Sequence, residues 1–389
     1  GNFMVEHAET KRSPLSKTTK PVVFLMASGG IDSSVAAKLL INAGYYVRMF
    51  YIKGWAPEGL ECLEPAEKEM AAEVARCLGV DFVPINTWSE HFYDAVFSPM
   101  LNGYLGGITP NPDTLCNREI KFRLFADFAF SHGADFIASG HYIRKAERPT
   151  RLLVARDPEK DQSYFLYDIG YGVLERSLFP MGEYVKKNDT IRMAREFGFP
   201  ERILTKRPTV DICFLLKKKS EEGDDPARIT MEELLLREGG KRGIVFTPGP
   251  IIHVRTGKVV GEHNGVMLYA ATIGQRKGIG VHGGKTPMYV AGKDIPTNRL
   301  FVSDEQSKSS EVIIHNLNWI SGGTPKLPAR LSAKIRTPQK LQACLVEETG
   351  RDELRVRFDL PQNSVAPGQA CVLYDGEVVL GGGIIAASA

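Results

Sequence analysis

Ser28-Gly29-Gly30-Ile31-Asp32-Ser33-Ser34 is the first place where residue types and spacing in this chain suggest chemistry. An apolar run, Val22 to Met26, precedes it. An apolar-periodic stretch through Val35, Ala36, Leu39 and Leu40 follows and ends at Gly44. The pattern predicts a buried strand, a Gly-Gly turn and a helix with a hydroxyl-rich N-terminus. Glycines let the backbone approach a ligand, and the free N–H groups and dipole of a helix start attract negative charge. The expected anion is a nucleotide phosphate. No Lys follows the glycines as it does in G-x-x-x-x-G-K-[ST], and the G-x-G-x-x-G dinucleotide pattern is absent. Asp32, acidic among phosphates, suits a Mg²⁺ ligand better than a phosphate contact. The plainer alternative is an ordinary turn with a Ser or Asp cap.

Thr109-Pro110-Asn111-Pro112-Asp113-Thr114-Leu115-Cys116-Asn117 is the second such stretch. Its two prolines stiffen it against helix and central strand. Cys116 then stands just before a helix predicted over Ile120–Ser131, where a thiol has a lowered pKa. Asp113 is spaced for proton transfer or for holding a substrate amide. The bland reading of a single Cys is a small buried hydrophobe, and the chemistry alone leaves both readings open. Cys213, within Val210-Asp211-Ile212-Cys213-Phe214-Leu215, reads by itself as a core cysteine of an apolar strand. Lys160-Asp161-Gln162-Ser163-Tyr164-Phe165-Leu166-Tyr167 suits RNA contact and stacking, or a solvated turn entering a strand. His141 after Gly140 either touches phosphate or caps a strand.

The elements that must position these residues alternate. Val22–Met26, Tyr46–Tyr51, Asp81–Ile85 and Asp135–Ser139 read as strands; Val35–Ala43, Pro65–Leu78, Ile120–Ser131 and Asn188–Phe197 read as helices. That rhythm predicts an α/β domain with a parallel sheet covered on both faces and a ligand at the carboxyl ends of its strands, where both Gly-Gly and Gly140-His141 fall. Lys217 to Arg228 is charged and turn-rich and reads as a surface linker. From about Gly243, short β-like runs are broken by Gly, Pro and Asn, and Ile273-Gly274-Gln275-Arg276-Lys277-Gly278-Ile279-Gly280 reads as a turn. Alternating strands recur at Leu331–Ile335, Gln342–Glu347, Leu354–Phe358, Ala370–Tyr374 and Glu377–Leu380, with Asp375-Gly376 marking a hairpin. The expected division is a polar arm over 1–20, a catalytic domain over 21–220, a small β-rich central domain over 221–305 and a C-terminal antiparallel β-barrel over 306–389.

Composition bounds the reading. A chain of 389 residues, 43% hydrophobic and 24% charged, is an ordinary globular protein of two or three domains. A net charge of +3 does not advertise a nucleic-acid partner, although Lys217-Lys218-Lys219, Lys241-Arg242 and Lys334 to Arg336 are local basic clusters. Six scattered cysteines without a C-x-x-C pair argue against a zinc ribbon and for reduced thiols in a reducing intracellular compartment, cytoplasm or organelle matrix. No apolar run approaches the length of a membrane span, and no membrane partner is expected.

Ser-Gly-Gly-Ile-Asp-Ser resembles the pyrophosphate loop of the ATP-pyrophosphatase (PP-loop) family, whose members split ATP at its α phosphate and adenylate a substrate. Together with TPNPDTLCN and IKF, ASGHY, KDQSYFLY, ICF, IGQRKGIG and the closing PGQ and GEVVLGGGII, the chain resembles the tRNA 2-thiouridylases over about residues 21–389. The resemblance implies an enzyme that replaces the C2 oxygen of the wobble uridine, position 34, with sulfur. It implies that Cys116 attacks and that Cys213 carries a persulfide, with Asp113 beside them. It places Met26, Ala27, Ser28, Gly29, Gly30, Ile31, Asp32, Ser33, Ile52 and Gly140 against ATP and its Mg²⁺. Asn111, Pro112 and Asp113 match the target-base loop; His141, Lys160, Asp161, Gln162, Arg336 and Gln369 match tRNA contacts, with Thr337 beside Arg336. The implied partners are the anticodon arms of Lys, Glu and Gln tRNAs, a persulfide donor or cysteine-desulfurase relay and a reductant, acting on a monomer. The chain departs from the family near the second cysteine. Pro208-Thr209-Val210-Asp211 stands where D-S-T-G is usual, and Leu215-Leu216-Lys217 where G-E-R is usual. The competing expectations are another ATP-pyrophosphatase, such as a lysidine or amide-forming synthetase, and a non-catalytic RNA-binding relative.

Overall fold

The computed structural model describes residues 19–57, 60–62, 64–205, 216–218, 229–276, 278–281 and 287–387. Cys213, the Pro208-Asp211 segment before it, Lys219 to Arg228 and most of the N-terminal arm lie outside the described residues.

Val22–Met26 is buried at all five positions and forms the centre of a five-stranded parallel sheet. The order across the sheet is Phe82–Ile85, Tyr46–Ile52, Val22–Met26, Phe136–Ala138 and Ser177–Leu178. A strand buried on both faces needs apolar residues at every position, and this one has them. Phe24 stacks on Phe50 at 4.4 Å within one core layer, while Val23 and Leu25 pack with Val35, Ala36 and Leu40 in the other. The chain runs from the first strand outward to Tyr46–Ile52 on one side and returns to Phe136–Ala138 on the other. The carboxyl end of Val22–Met26 is therefore a topological switch point, the usual ligand crevice of such sheets.

The helices differ from expectation at the second chemical stretch. A helix starts at Pro112, eight residues before the expected Ile120, and continues through a wider-wound π-helical stretch, Asn117–Leu124, into Phe125–Ser131. Asn111 caps it, accepting from the N–H groups of Asp113 at 3.0 Å and Thr114 at 3.3 Å. Proline bars a helix interior but suits its first position, and Asn is among the best caps. The loop reading of Pro112 to Cys116 is thus corrected: Cys116 ends the first helical segment rather than preceding the helix. Ser89–Leu105, for which no element was expected, is also helical.

Gly249–His253, Val259–His263, Tyr289–Asp294 and Arg299–Ser303 form a four-stranded central sheet. The last six strands, from Lys308–Asn318 to Val378–Ile385, close into an antiparallel barrel because Lys308–Asn318 pairs with both Glu353–Asn363 and Val378–Ile385. Asp375-Gly376 makes the expected hairpin. An earlier hairpin, Arg144–Ala146 with Arg151–Leu153, joins this sheet through Val378 and Val379. Leu216–Lys218, which overlaps the start of the expected linker at Lys217, is a strand paired with Leu60–Cys62.

Candidate active site

The Gly-Gly turn leads into a helix whose start has no side-chain cap. Gly29 adopts φ +74°, and a Cβ there would lie 2.2 Å from the backbone oxygen of Glu67, so both conformation and space demand glycine. Gly30 takes the cap position of Ile31–Asn42 with no side chain capping the helix start. Ser33 Oγ accepts from Ser28 N–H at 3.1 Å and meets Ser28 Oγ at the same distance, which tightens the loop. Met26 and Ala27 are buried beneath it, and Ile52 ends the neighbouring strand against two core layers. An uncapped helix N-terminus behind a glycine turn is an anion cradle.

Gly140 follows the strand Phe136–Ala138 and touches the loop directly. A Cβ on it would fall 2.7 Å from Ser33 N and 2.9 Å from Asp32 C. The next two residues continue the contact. His141 lies with its ring 6.0 Å from Phe122, on the helix of Cys116, and its Nδ1 is 2.6 Å from Ser139 Oγ. Burial first and the nearby Lys121 charge second hold His141 well below the ordinary histidine range, so it is neutral at pH 7. Tyr142 OH donates to Asp32 Oδ1 at 2.7 Å and meets Thr190 Oγ1 at 2.8 Å. Burial, reinforced by the Asp32 charge, pushes the Tyr142 phenol up, so it remains a donor. Lys186 Nζ meets the other Asp32 oxygen at 3.0 Å. The half-buried Asp32 carboxylate, at the start of the cradle helix, fits as an oxygen donor for a hard divalent cation carried by phosphates.

Cys116 is 1% exposed, in a layer with Phe97, Leu101 and Ile120, against which Ile52 and Trp55 pack. Gly140, His141 and Tyr142 therefore link the Gly-Gly loop to Phe122, six residues beyond Cys116 on the same run of helix.

The expected tRNA contacts separate into two groups. Lys160 and Thr337 are exposed. The others have protein partners. Asp161 accepts from Ala155 N–H at 2.9 Å and Ser163 Oγ at 2.7 Å, and its second oxygen lies 3.5 Å from Lys334 Nζ in the barrel. Gln162 Oε1 accepts from Tyr142 N–H at 2.8 Å. Ser163 Oγ meets Tyr374 OH at 3.0 Å, and Tyr164 OH donates to Ala370 O at 2.7 Å, so KDQSYFLY seams the sheet domain to the barrel. Arg336 donates to the backbone oxygens of Asn363 and Ser364. Gln369 Nε2 donates to Thr109 O at 2.8 Å, and Thr109 N–H donates to Pro367 O at 2.9 Å, so the barrel holds the start of the cysteine loop. Tyr142, Lys186 and Thr190 escaped the sequence reading; Tyr142 followed a flagged Gly-His pair, whereas Lys186 lies 154 residues from its partner and carries no local motif.

Comparison with known proteins decides the family. Residues 20–217 match the tRNA methyl transferase HUP domain, 241–304 the tRNA methyl transferase PRC-barrel domain and 309–385 the aminomethyltransferase beta-barrel domain. The tRNA-specific 2-thiouridylase MnmA of Alcanivorax borkumensis is 38% identical over 374 residues, covering 93% of this chain and 96% of that one. The chain belongs to the tRNA-specific 2-thiouridylase family. The Burkholderia thailandensis member is 40% identical over 389 residues, covering 95% of each. Family membership spans the cradle, the cysteine loop and the barrel alike. Among solved structures, the U34-tRNA thiolase NcsA from Methanococcus maripaludis aligns over 49% of this chain and 61% of that one, at 17% identity and a TM-score of 0.31.

Proposed function

We propose that the protein is a tRNA 2-thiouridylase that uses ATP to activate the C2 oxygen of uridine 34 and replaces it with sulfur from a cysteine persulfide. The observation that carries this reading is the meeting of an uncapped Gly-Gly helix start with the Cys116 helix at one switch point, joined through Gly140, His141 and Tyr142. ATP bound there supplies an electrophilic α-phosphorus and a good leaving group. The backbone N–H groups at the start of Ile31–Asn42 would hold the phosphates, and Asp32 would serve as an oxygen donor to the Mg²⁺ that neutralises them.

The uracil O2 attacks the α-phosphorus and pyrophosphate leaves. A carbonyl oxygen is a poor leaving group, and adenylation makes it leave as AMP. The terminal sulfur of a Cys213 persulfide then attacks C2. Cys116 attacks the Cys213 sulfur, the sulfur stays on the base, and the pair of cysteines is left as a disulfide for a reductant to open. The base must leave its stack to reach the site. Lys160, Thr337 and the barrel face around Arg336 would meet the anticodon arm, and an external persulfide relay would reload Cys213. The methyl transfer in the name of the matching domain model would need neither a persulfide nor two cysteines.

Mass spectrometry of tRNA incubated with the enzyme, ATP, Mg²⁺ and a persulfide donor should show one oxygen replaced by sulfur at position 34. Cys213→Ser and Cys116→Ala should each abolish that product. A Cys116→Ala enzyme with full activity would favour an ATP-pyrophosphatase of different chemistry. The absence of pyrophosphate release with tRNA would favour an RNA-binding relative.

A further inference from the structure

Lys186 is placed with more care than a surface lysine needs. It opens a π-helical turn, Lys186–Thr190, that is pinned at both ends. Its own N–H donates to Asp157 Oδ2 at 3.1 Å, and Asp157 is 5% exposed. The preceding Val185 N–H donates to Asp189 Oδ2 at 2.8 Å. At the far end, Thr190 Oγ1 meets the same Tyr142 hydroxyl that donates to Asp32. The turn thus carries the Lys186 side chain, itself only 17% exposed, across the sheet end to Asp32 in the first turn of the cradle helix. Ordering a lysine costs rotamer freedom, and withdrawing its charge from water costs more unless a partner compensates. A braced ammonium beside an uncapped helix N-terminus is instead matched to a multiply charged anion.

We propose that Lys186 is a polyphosphate-binding residue of the ATP site, held ready by Asp32 and passed to a phosphate oxygen of the bound nucleotide, which would leave that Asp32 oxygen available to a Mg²⁺. Tyr142 keeps Asp32 in place through the exchange. The inference rests on the ATP reading above, and the experiment separates the two. Binding of Mg·ATP and of adenosine is measured by calorimetry for the wild type, Lys186→Gln and Lys186→Arg. The wild type should bind ATP, and its failure to do so would remove the ATP reading itself. Lys186→Gln should lose at least about tenfold in ATP affinity, as expected for a charge-assisted contact, with adenosine affinity within about twofold; Lys186→Arg should recover part of the loss. Wild-type ATP affinity in Lys186→Gln would overturn the proposal, as would an equal loss for ATP and adenosine. A second measurement needs no variant. Acetylation of Lys186 by an amine-reactive reagent, followed by mass spectrometry, should be slowed by Mg·ATP and not by adenosine. Equal labelling with and without Mg·ATP would overturn the proposal as well.

Discussion

Replacing Gln369 tests whether the barrel grips RNA or aims the cysteine loop. Gln369 Nε2 donates to Thr109 O at 2.8 Å, and Thr109 is 8% exposed, so a Leu there would leave a buried carbonyl without its donor. The penalty for such a group is about 1–3 kcal/mol. Thr109 N–H keeps its bond to Pro367 O, and a Cβ on Gly368 would sit only 3.0 Å from Thr109 O, so the loop remains attached but less well aimed. If the penalty falls on the productive loop position, kcat for thiolation drops by about 5- to 150-fold. Affinity for tRNA should then change by less than about twofold, within the small effects of an uncontacted position. Gln369→Glu, which sets a carboxylate against the same carbonyl, should cost more than Leu. The assay is single-turnover thiolation at saturating tRNA beside direct tRNA binding. A loss confined to tRNA affinity, with kcat intact, would refute this reasoning and return Gln369 to the RNA contacts.

Three further outcomes follow from the same geometry. Gly140→Ala drives a methyl into the backbone of Ser33 and Asp32, so it should destabilise by about 1–3 kcal/mol and abolish tight ATP binding; calorimetry showing wild-type ATP affinity would contradict the contact. His141 is held below the histidine range by burial and by Lys121, so the unfolded chain takes its proton first as pH falls. Its contribution is therefore present above about pH 6.5 and lost as pH drops below it, and melting curves between pH 7 and 5 should fall less steeply for His141→Asn than for the wild type; equal slopes would count against it. Asp161→Ala strips three protein hydrogen bonds and leaves Lys334, 12% exposed, without its carboxylate. Urea unfolding should lose about 3–5 kcal/mol, while exposed Lys160→Ala changes tRNA affinity alone; a loss below about 1 kcal/mol would show that Asp161 is free to meet RNA.

The legible parts of this chain were those written in short-range chemistry. Val22–Met26 declared a buried parallel strand because both faces need apolar residues. Gly29 and Gly30 declared a tight turn between a strand and a helix, and Gly29 takes the positive φ that such a turn requires. Asp375-Gly376 declared a hairpin for the same kind of local reason. The difference at Pro112 is also local: proline bars a helix interior, but an Asn cap in front of it makes it a helix starter.

The parts that were not legible are those in which one residue serves two distant places. Asp161 and Gln162 suit RNA contact because a charge, an amide and aromatics stand together, and the same groups make the hydrogen bonds seen to Ala155, Ser163 and Tyr142, which the composition does not reveal. Gly140, His141 and Tyr142 show the limit most clearly. Sequence singled out the first two, yet the three consecutive residues diverge to three separate targets: the backbone of the cradle helix, Phe122 on the cysteine helix and the Asp32 carboxylate. The three residues lie just beyond the strand Phe136–Ala138, where the chain leaves the sheet and no strand pairing fixes which way each one faces. That geometry ties the cradle helix to the helix that carries Cys116 through three consecutive residues. A displacement of this segment should therefore disturb adenylation and sulfur transfer together.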